Sequence, residues 1–142
     1  AHMIEDACEL LQSVAQAKNV TLLAETAPTS LIRVDPERIF QVLSNLIGNA
    51  VKFSHDGGKV RVHAEVVGGM CEFRVIDEGV GIAPDQLSRI FERYWQAKLA
   101  DMKGAGLGLY IARGIIEAHG GTIRAESTLR RGTTFFFTVP LA

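Results

Sequence analysis

The sequence predicts an α+β fold, a two-layer sandwich in which helices cover one face of a mixed sheet of about five strands. Two observations lead to this prediction. The segments "KVRVHAEVV" (59–67) and "MCEFRVID" (70–77) alternate around Gly68-Gly69, which is typical of an antiparallel hairpin. Just before the hairpin, apolar residues between 36 and 54 recur at helical spacing. Strands and helices are therefore interspersed along one chain.

The elements before the hairpin follow from the same two periodicities. Residues 3–18 place apolar side chains at helical spacing and predict the first helix. Residues 19–25 and 31–35 predict two strands around the turn "TAPTS". Asp35-Pro36 predicts the start of the second helix, because an N-cap acid precedes a proline at the first helical position. We expect that helix to end near Ser54.

The pattern changes after the hairpin. "PDQLSRIFERYW" (84–95) predicts a short helix, and residues 97–104 show no clear period. "AGLGLYIARGIIEAHGG" predicts another helix, which ends at Gly120-Gly121. "TIRAES" and "TTFFFTVP" predict a closing pair of strands.

Composition limits the classes of function. The chain has 142 residues, 47% of them hydrophobic, and a net charge of −1, which fits one globular domain and does not favour a nucleic-acid partner. Cys8 and Cys71 lack a metal-type cluster and predict buried, reduced thiols. The opening "AHM" resembles a cloning scar, so we expect the domain to occupy 4–142. No stretch approaches the ~20 apolar residues of a membrane span, so we expect a cytoplasmic domain, whose full-length protein can carry an anchor elsewhere.

The second helix carries an unusual polar face. Asn45, Asn49 and Lys52 are four and three residues apart, so they lie on one side of the helix beside its apolar stripe. An amide oxygen is a ligand suited to Mg²⁺, and lysine supplies a point charge for phosphate. Polar residues on such a helix are usually just solvated, and this segment taken alone favours that simpler interpretation.

The segment "DEGVGI" (77–82) directly follows a predicted strand. Asp77 is expected at the strand end, where its carboxylate can accept a hydrogen bond from an exocyclic amine such as that of adenine. Gly79 and Gly81 permit a close backbone approach by a flat ligand. When "DEG" is considered by itself, an ordinary acidic turn explains it better.

The segment "GAGLGL" (104–109) opens a helix with exposed N–H groups at its positive end. Gly104, Gly106 and Gly108 therefore predict an anion site. A dinucleotide fingerprint is disfavoured because no βαβ unit surrounds the glycines, and a P-loop is disfavoured because no Gly-Lys-Ser/Thr follows. The aperiodic segment before the helix can close as a lid. The three polar elements, found together and in order, point to a nucleotide site.

These motifs resemble those of the catalytic ATP-binding domain of a bacterial sensor histidine kinase. That domain belongs to the GHKL superfamily, with gyrase, MutL and the heat-shock chaperone ATPases, and the resemblance implies the Bergerat fold with a flexible ATP lid. "NLIGNAVKF" resembles the N box, "DEGVGI" the G1 box, "FERYW" the F box and "GAGLGL" the G2 box. The resemblance runs from about Ile4 to Leu141, and the ordered set of boxes is far more specific than any one of them.

The resemblance implies roles for individual residues. On the second helix, Asn49 would ligate Mg²⁺, Asn45 would hold the metal or a phosphate through water, and Lys52 would contact the phosphates. Asp77 would bind the adenine amino group. The other implied nucleotide-binding residues are Gly79, Gly81 and Ile82 around the base, Arg93 or Lys98 at the terminal phosphate, and Gly104, Gly106, Leu107 and Gly108 along the phosphates. Phe91 would anchor the lid, and many relatives have an arginine where this chain has Gln96.

The chemistry of position 45 distinguishes branches of that superfamily. Hydrolytic relatives place a glutamate base there, and the Asn45 amide cannot take a proton from water. We therefore expect poor ATP hydrolysis and transfer of the γ-phosphoryl group to a histidine on a separate dimerisation domain. None of the chain's four histidines, His2, His55, His63 and His119, has the family's acceptor motif, and each is expected to be structural or solvated. His119 precedes the glycine pair that ends a helix, where a cation interacts favourably with the helix dipole.

The expected activity is thus that of an ATP-dependent protein-histidine kinase of two-component signalling, with ATP and Mg²⁺ as cofactors. Its expected partners are the dimerisation domain and the receiver domain of a response regulator. Three alternatives stay open at this point: a nucleotide-binding signalling module without kinase activity, a GHKL serine kinase or ATPase, and an interaction domain that binds no nucleotide. Asn45 and Lys52 favour the histidine-kinase branch over the second alternative.

Overall fold

A computed structural model of the chain describes residues 2–25, 35–92 and 108–141. Helices and strands alternate in short groups along these residues. In chain order they are α1 (His2–Ala17), β1 (Thr21–Ala24), α2 (Pro36–Phe53), β2 (Lys59–Val67), β3 (Met70–Asp77), α3 (Pro84–Leu87), α4 (Gly108–Ala118), β4 (Ile123–Thr128) and β5 (Gly132–Pro140). The predicted strand at 31–35 lies almost wholly outside the described residues.

The five strands form one mixed sheet in the order β1-β2-β3-β5-β4. β1 pairs with β2 in parallel, and the other three pairings are antiparallel. The hairpin predicted at Gly68-Gly69 connects β2 to β3, and Val67 pairs with Met70 across it. The predicted mixed sheet of about five strands is therefore confirmed.

The two faces of the sheet have different compositions because alternate side chains of a strand point to opposite faces. On the inner face, Phe73 stacks on Phe137 with ring centroids 4.6 Å apart, and α1, α2 and α4 cover the buried side chains. On the outer face, Arg74 and Arg124 lie over the Phe136 ring, at 5.5 and 3.9 Å from its centroid. One face thus builds the core and the other is covered by charged side chains.

The α2 helix is held firmly at both ends. The Asp35 side chain accepts a hydrogen bond from the Glu37 N–H, and Pro36 occupies the first turn, as the sequence predicts. At the other end, Ser54 donates through its hydroxyl to the Ala50 carbonyl and through its N–H to the Val51 carbonyl. The apolar stripe of this helix is fully buried, which fixes the direction of its polar face.

One sequence prediction needs correction. The helix expected over residues 84–95 ends at Leu87, and Arg89 and Glu92 continue with tighter turns that bond to carbonyls three residues back. This path buries Ile90 in the core. His119, expected to be structural or solvated, has a structural role: its Nε2 accepts a hydrogen bond from the Asp35 N–H at 3.0 Å, and its Nδ1 lies 2.8 Å from the Ile115 carbonyl oxygen. This histidine therefore joins the end of α4 to the start of α2.

No helix within the described ranges has both the length and the apolar character that a membrane crossing requires.

Candidate nucleotide site

Asp77 ends β3 as a buried carboxylate, with 4% of its surface exposed. Its Oδ1 accepts hydrogen bonds from the Gly79 N–H at 2.9 Å and the Thr133 N–H at 3.1 Å. Within the described residues, no donor binds its other oxygen, Oδ2. Burial raises the pKa of the Asp77 carboxyl above its usual value, although the two N–H bonds and the nearby His55 act in the opposite direction. The carboxylate is therefore fixed through one oxygen and can accept a donor from a ligand through the other.

The loop after Asp77 packs tightly against neighbouring backbone. A Cβ on Gly79 would come within 2.2 Å of the Phe53 carbonyl oxygen, and one on Gly81, whose φ is +73°, would come within 2.3 Å of the Thr128 carbonyl oxygen. The two glycines are thus explained by contacts with α2 and with the β4–β5 turn. The far end of the loop is held by a 2.7 Å hydrogen bond from the Ile82 N–H to the Ser127 hydroxyl.

The polar face of α2 borders the start of α4. The Asn45 amide donates to the Gly108 carbonyl at 3.3 Å, and a Cβ on Gly108 would lie 3.9 Å from the Asn45 amide carbon. One turn further along, Asn49 is half-buried, and the described part of the chain gives its amide no hydrogen-bond partner. The amide of Asn49 is consequently available to a ligand on the same side of the helix.

Lys52 follows one turn later and is half-buried. The Lys18 ammonium, at the end of α1, donates to the Lys52 backbone carbonyl. Burial and the nearby Lys52 charge lower the pKa of Lys18. Two cations therefore lie at this end of α2, which suits an anionic ligand.

The α2 helix brings these parts together. Near its middle, Asn45 contacts the first residue of α4, and at its last residue, Phe53, the carbonyl accepts a hydrogen bond from the Val80 N–H at 3.3 Å. Asn49 and Lys52 lie between these two contacts along the helix. The amide face of α2 thus contacts the start of α4, and the end of α2 contacts the loop that follows Asp77.

The described part of the F box also contacts the core. Phe91 meets Phe135 edge to face, with ring centroids 6.3 Å apart. This packing fits the anchoring role that the resemblance implies for Phe91. Five of the predicted site residues lie outside the described residues: Arg93, Lys98, Gly104, Gly106 and Leu107.

Sequence reasoning missed the contribution of the last strand pair. Thr133 lies directly opposite Ser127 in the β4–β5 ladder, and its N–H holds Asp77. A Cβ on Gly132 would come within 2.1 Å of the Asp77 carbonyl oxygen, and its φ is +105°. The available signal was the alternation of β4 and β5, which places Ser127 and Thr133 on the apolar face.

Comparison with protein families gives a match over most of the chain. Residues 34–142 match the family model described as histidine kinase-, DNA gyrase B-, and HSP90-like ATPase. The matched range begins just before α2 and contains every predicted site residue.

Individual relatives agree with the family model. The chain is 39% identical over 114 residues to the sensor histidine kinase WalK of Bacillus subtilis (strain 168). The matched region covers 77% of this chain and 19% of WalK. The structure of full-length ShkA in complex with AMPPNP superposes with a TM-score of 0.89 at 35% identity, covering 99% of this chain and 30% of that one. The histidine kinase ThkA in complex with the response regulator protein TrrA superposes with a TM-score of 0.79 at 28% identity, covering 99% of this chain and 40% of the ThkA chain.

The chain spans less than half the length of each of these relatives. The family model matches residues 34–142 of this chain, which is most of the segment that these relatives share with it. The chain therefore belongs to the histidine kinase-, DNA gyrase B- and HSP90-like ATPase family, as a catalytic ATP-binding domain of the sensor histidine kinase type.

Proposed function

We propose that this domain binds Mg-ATP and donates the γ-phosphoryl group to a histidine on a separate dimerisation domain. The observation that carries the proposal is Asp77, a buried carboxylate whose Oδ1 accepts two hydrogen bonds while the described residues give Oδ2 no donor. A buried acceptor of this kind fits the exocyclic amine of adenine, and it disfavours a base that presents a carbonyl there.

The α2 face suits the metal and the phosphates. Asn49 presents a half-buried amide that the described residues leave without a hydrogen bond. Its oxygen is a neutral ligand of the kind that Mg²⁺ accepts together with water and phosphate oxygens. We assign the metal to Asn49, a supporting role to Asn45, and phosphate contact to Lys52. Bound there, Mg²⁺ would neutralise charge on the phosphates.

The kind of phosphoryl acceptor follows from the absence of a carboxylate base at position 45 of α2. Asn45 provides an amide that donates to Gly108, and an amide cannot deprotonate a water molecule. A histidine needs little activation near neutral pH. Its ring nitrogen forms the bond to phosphorus while the bond to the ADP oxygen breaks, ADP leaves with the electron pair, and the ring proton passes to solvent. Alignment and charge neutralisation then account for catalysis.

The remaining assignments rest on the family. Gly79, Gly81 and Ile82 would border the base, and Arg93 or Lys98 and Gly104, Gly106, Leu107 and Gly108 would serve the phosphates. The ThkA–TrrA complex supports a response regulator as the partner that receives the phosphoryl group. We assign this domain to the cytoplasm, because its proposed reaction consumes ATP.

The test combines this chain with the dimerisation domain of the same protein and labelled ATP. We expect label on histidine with the wild type and none with Asn49→Ala, which should still bind the adenine end of the nucleotide. Gln16→Ala removes an exposed amide from α1 and serves as the matched control, with normal transfer expected. Normal transfer by Asn49→Ala would show that the metal is held elsewhere.

The second candidate function is a nucleotide-binding module that signals by conformation. Its prediction differs in one measurement: wild-type protein would bind Mg-ATP in a calorimetric titration and yet place no label on any histidine. A serine kinase or ATPase would instead release phosphate or label serine, and Asn45 argues against the hydrolytic version.

A further inference from the structure

The Ser127 hydroxyl lies at the meeting point of three segments around the candidate base pocket. It accepts a hydrogen bond from the Ile82 N–H at 2.7 Å, lies 3.0 Å from the Gly132 carbonyl oxygen and lies 2.8 Å from the Thr133 hydroxyl. Ile82 belongs to the loop after Asp77, Gly132 begins β5, and Thr133 is the residue opposite Ser127. One half-buried side chain thus joins a loop and two strands.

The hydrogen bonds of this hydroxyl can all be satisfied at once. A serine oxygen donates one proton and accepts two. Ser127 donates to the Gly132 carbonyl and accepts from the Ile82 N–H and from the Thr133 hydroxyl. Its full capacity is therefore used by the protein, and none is left for a ligand.

The same three segments hold Asp77. The Thr133 N–H donates to Asp77 Oδ1, and the Gly132 backbone lies so close to the Asp77 carbonyl that a Cβ would not fit. On the other side, the loop that Ile82 ends begins with Gly79, whose N–H is the second donor to Oδ1. Every group that fixes the orientation of the carboxylate is thus connected to Ser127 within a few residues.

We propose that Ser127 is a positioning residue for base recognition: it sets the loop and the β5 start so that Asp77 presents Oδ2 to the nucleotide base. The inference rests on the proposed function, because it takes Asp77 to be the base acceptor. Ser127 acts through Ile82, Gly132 and Thr133 and does not itself touch the nucleotide.

A matched hydroxyl lies at the opposite end of the same two strands. The Thr138 hydroxyl accepts a hydrogen bond from the Thr122 N–H at 3.0 Å and lies 3.2 Å from the Thr122 hydroxyl. It performs the same structural task of joining two strands, but it has no connection to Asp77. Thr138→Val therefore measures what a strand-joining hydroxyl contributes to stability alone.

The experiment compares Ser127→Ala, Ser127→Thr and Thr138→Val in calorimetric titrations with Mg-ATP and Mg-GTP and in thermal melts. We expect Ser127→Ala to raise the Kd for Mg-ATP about tenfold, because misplacing a hydrogen-bonded group weakens binding by about this factor. The Kd values for Mg-ATP and Mg-GTP should also become more similar. Ser127→Thr, which keeps the oxygen, should restore both values. Thr138→Val should lower the melting temperature and leave the Kd within about twofold.

The kinetic readout separates positioning from a general loss of structure. With the dimerisation domain present, Ser127→Ala should raise the KM for ATP while the transfer rate at saturation stays near that of the wild type, because Ser127 acts on the loop and strands around Asp77, whereas Asn49 and Lys52 lie on α2. If Ser127→Ala does not fold, Ser127→Cys, whose thiol accepts hydrogen bonds weakly, replaces it and should likewise raise the KM for ATP above the wild-type value while the transfer rate at saturation stays near that of the wild type.

Two results would overturn the inference, and they are distinguishable. If the wild type binds Mg-ATP and Ser127→Ala has the same Kd and the same selectivity as Thr138→Val, Ser127 has no positioning role. If the wild type does not bind Mg-ATP at all, the proposed function fails and this inference fails with it.

Discussion

The inner face of the sheet differs between its centre and one end. Across β3, β5 and β4, one row consists of Phe73, Phe137 and Ile123, and the next of Val75, Phe135 and Ala125. The following positions on the same face are Asp77, Thr133 and Ser127. The sheet therefore changes from an apolar row to a polar row over two residues of each strand.

This difference separates inner-face residues that stabilise the fold from inner-face residues that are unfavourable for stability. Apolar rows are favourable wherever helices cover a sheet, since burial of apolar surface contributes about 25 cal/mol per Å². A buried carboxylate is unfavourable there unless hydrogen bonds compensate it, and the raised pKa of Asp77 shows that its compensation is incomplete. A polar row at this place is thus better explained by binding than by stability.

The largest expected effect concerns the apolar row. Phe137 is fully buried and stacked on Phe73, so Phe137→Ala should lower the free energy of unfolding by about 3–5 kcal/mol. Phe136, one residue earlier, lies on the outer face under two arginines. Phe136→Ala should therefore lower the free energy of unfolding clearly less than Phe137→Ala does. Urea denaturation measures both. Equal losses would contradict the distinction between the two faces.

The second expected effect concerns the polar row and has opposite signs for binding and stability. Asp77→Asn should weaken Mg-ATP binding roughly tenfold to a hundredfold, because a hydrogen bond to a charged group is lost. It should also raise the melting temperature at pH 7. Burial raises the folded-state pKa of Asp77, so the stability due to this group is present at acidic pH and is lost as pH rises through that pKa. Asparagine does not ionise and avoids this loss.

Thermal melts between pH 4 and pH 8 check the sign, with Asp56→Asn, an exposed acid in the turn after α2, as the control. The melting temperatures of wild type and Asp77→Asn should converge towards acidic pH. A lower melting temperature of Asp77→Asn at pH 7 would show that the two N–H bonds outweigh burial, and unchanged nucleotide selectivity would remove Asp77 from base recognition.

The smallest expected effect compares two glycines in helix interiors. Gly48 lies on α2 within the polar face, Gly114 lies on α4, and a Cβ on either would meet no atom of another described residue within 4 Å. Gly48→Ala and Gly114→Ala should each raise the free energy of unfolding by about 0.5–1 kcal/mol, as glycine is a poor helix former. Chemical denaturation measures both. Weaker Mg-ATP binding confined to Gly48→Ala would indicate that the nucleotide approaches α2 there, and destabilisation by either variant would contradict the prediction.

Local sequence patterns were sufficient to predict much of the fold. The strict alternation around Gly68-Gly69 predicted the β2–β3 hairpin, and Asp35-Pro36 predicted the start of α2, because both signals depend only on neighbouring residues. The same is true of the polar face of α2: helical geometry alone puts Asn45, Asn49 and Lys52 on one side.

Other features depended on contacts that no local pattern contains. The helix predicted over 84–95 ended at Leu87 because burying Ile90 and Phe91 required a different backbone path. The position of His119 at a helix end does not reveal its partner, which is the Asp35 N–H, 84 positions away in sequence. Such partners are fixed only when the elements pack together.

For the site, the sequence by itself determined which chemical groups are available: the α2 amides, Lys52 and a carboxylate at the end of a strand. Only the tertiary structure decided how Asp77 is oriented, since its orientation depends on N–H groups of Gly79 and Thr133, and on Ser127, which come from separate parts of the chain. Side-chain types and spacing are local properties of a chain. Hydrogen-bond partners across a sheet are set by strand register, which exists only in the folded molecule.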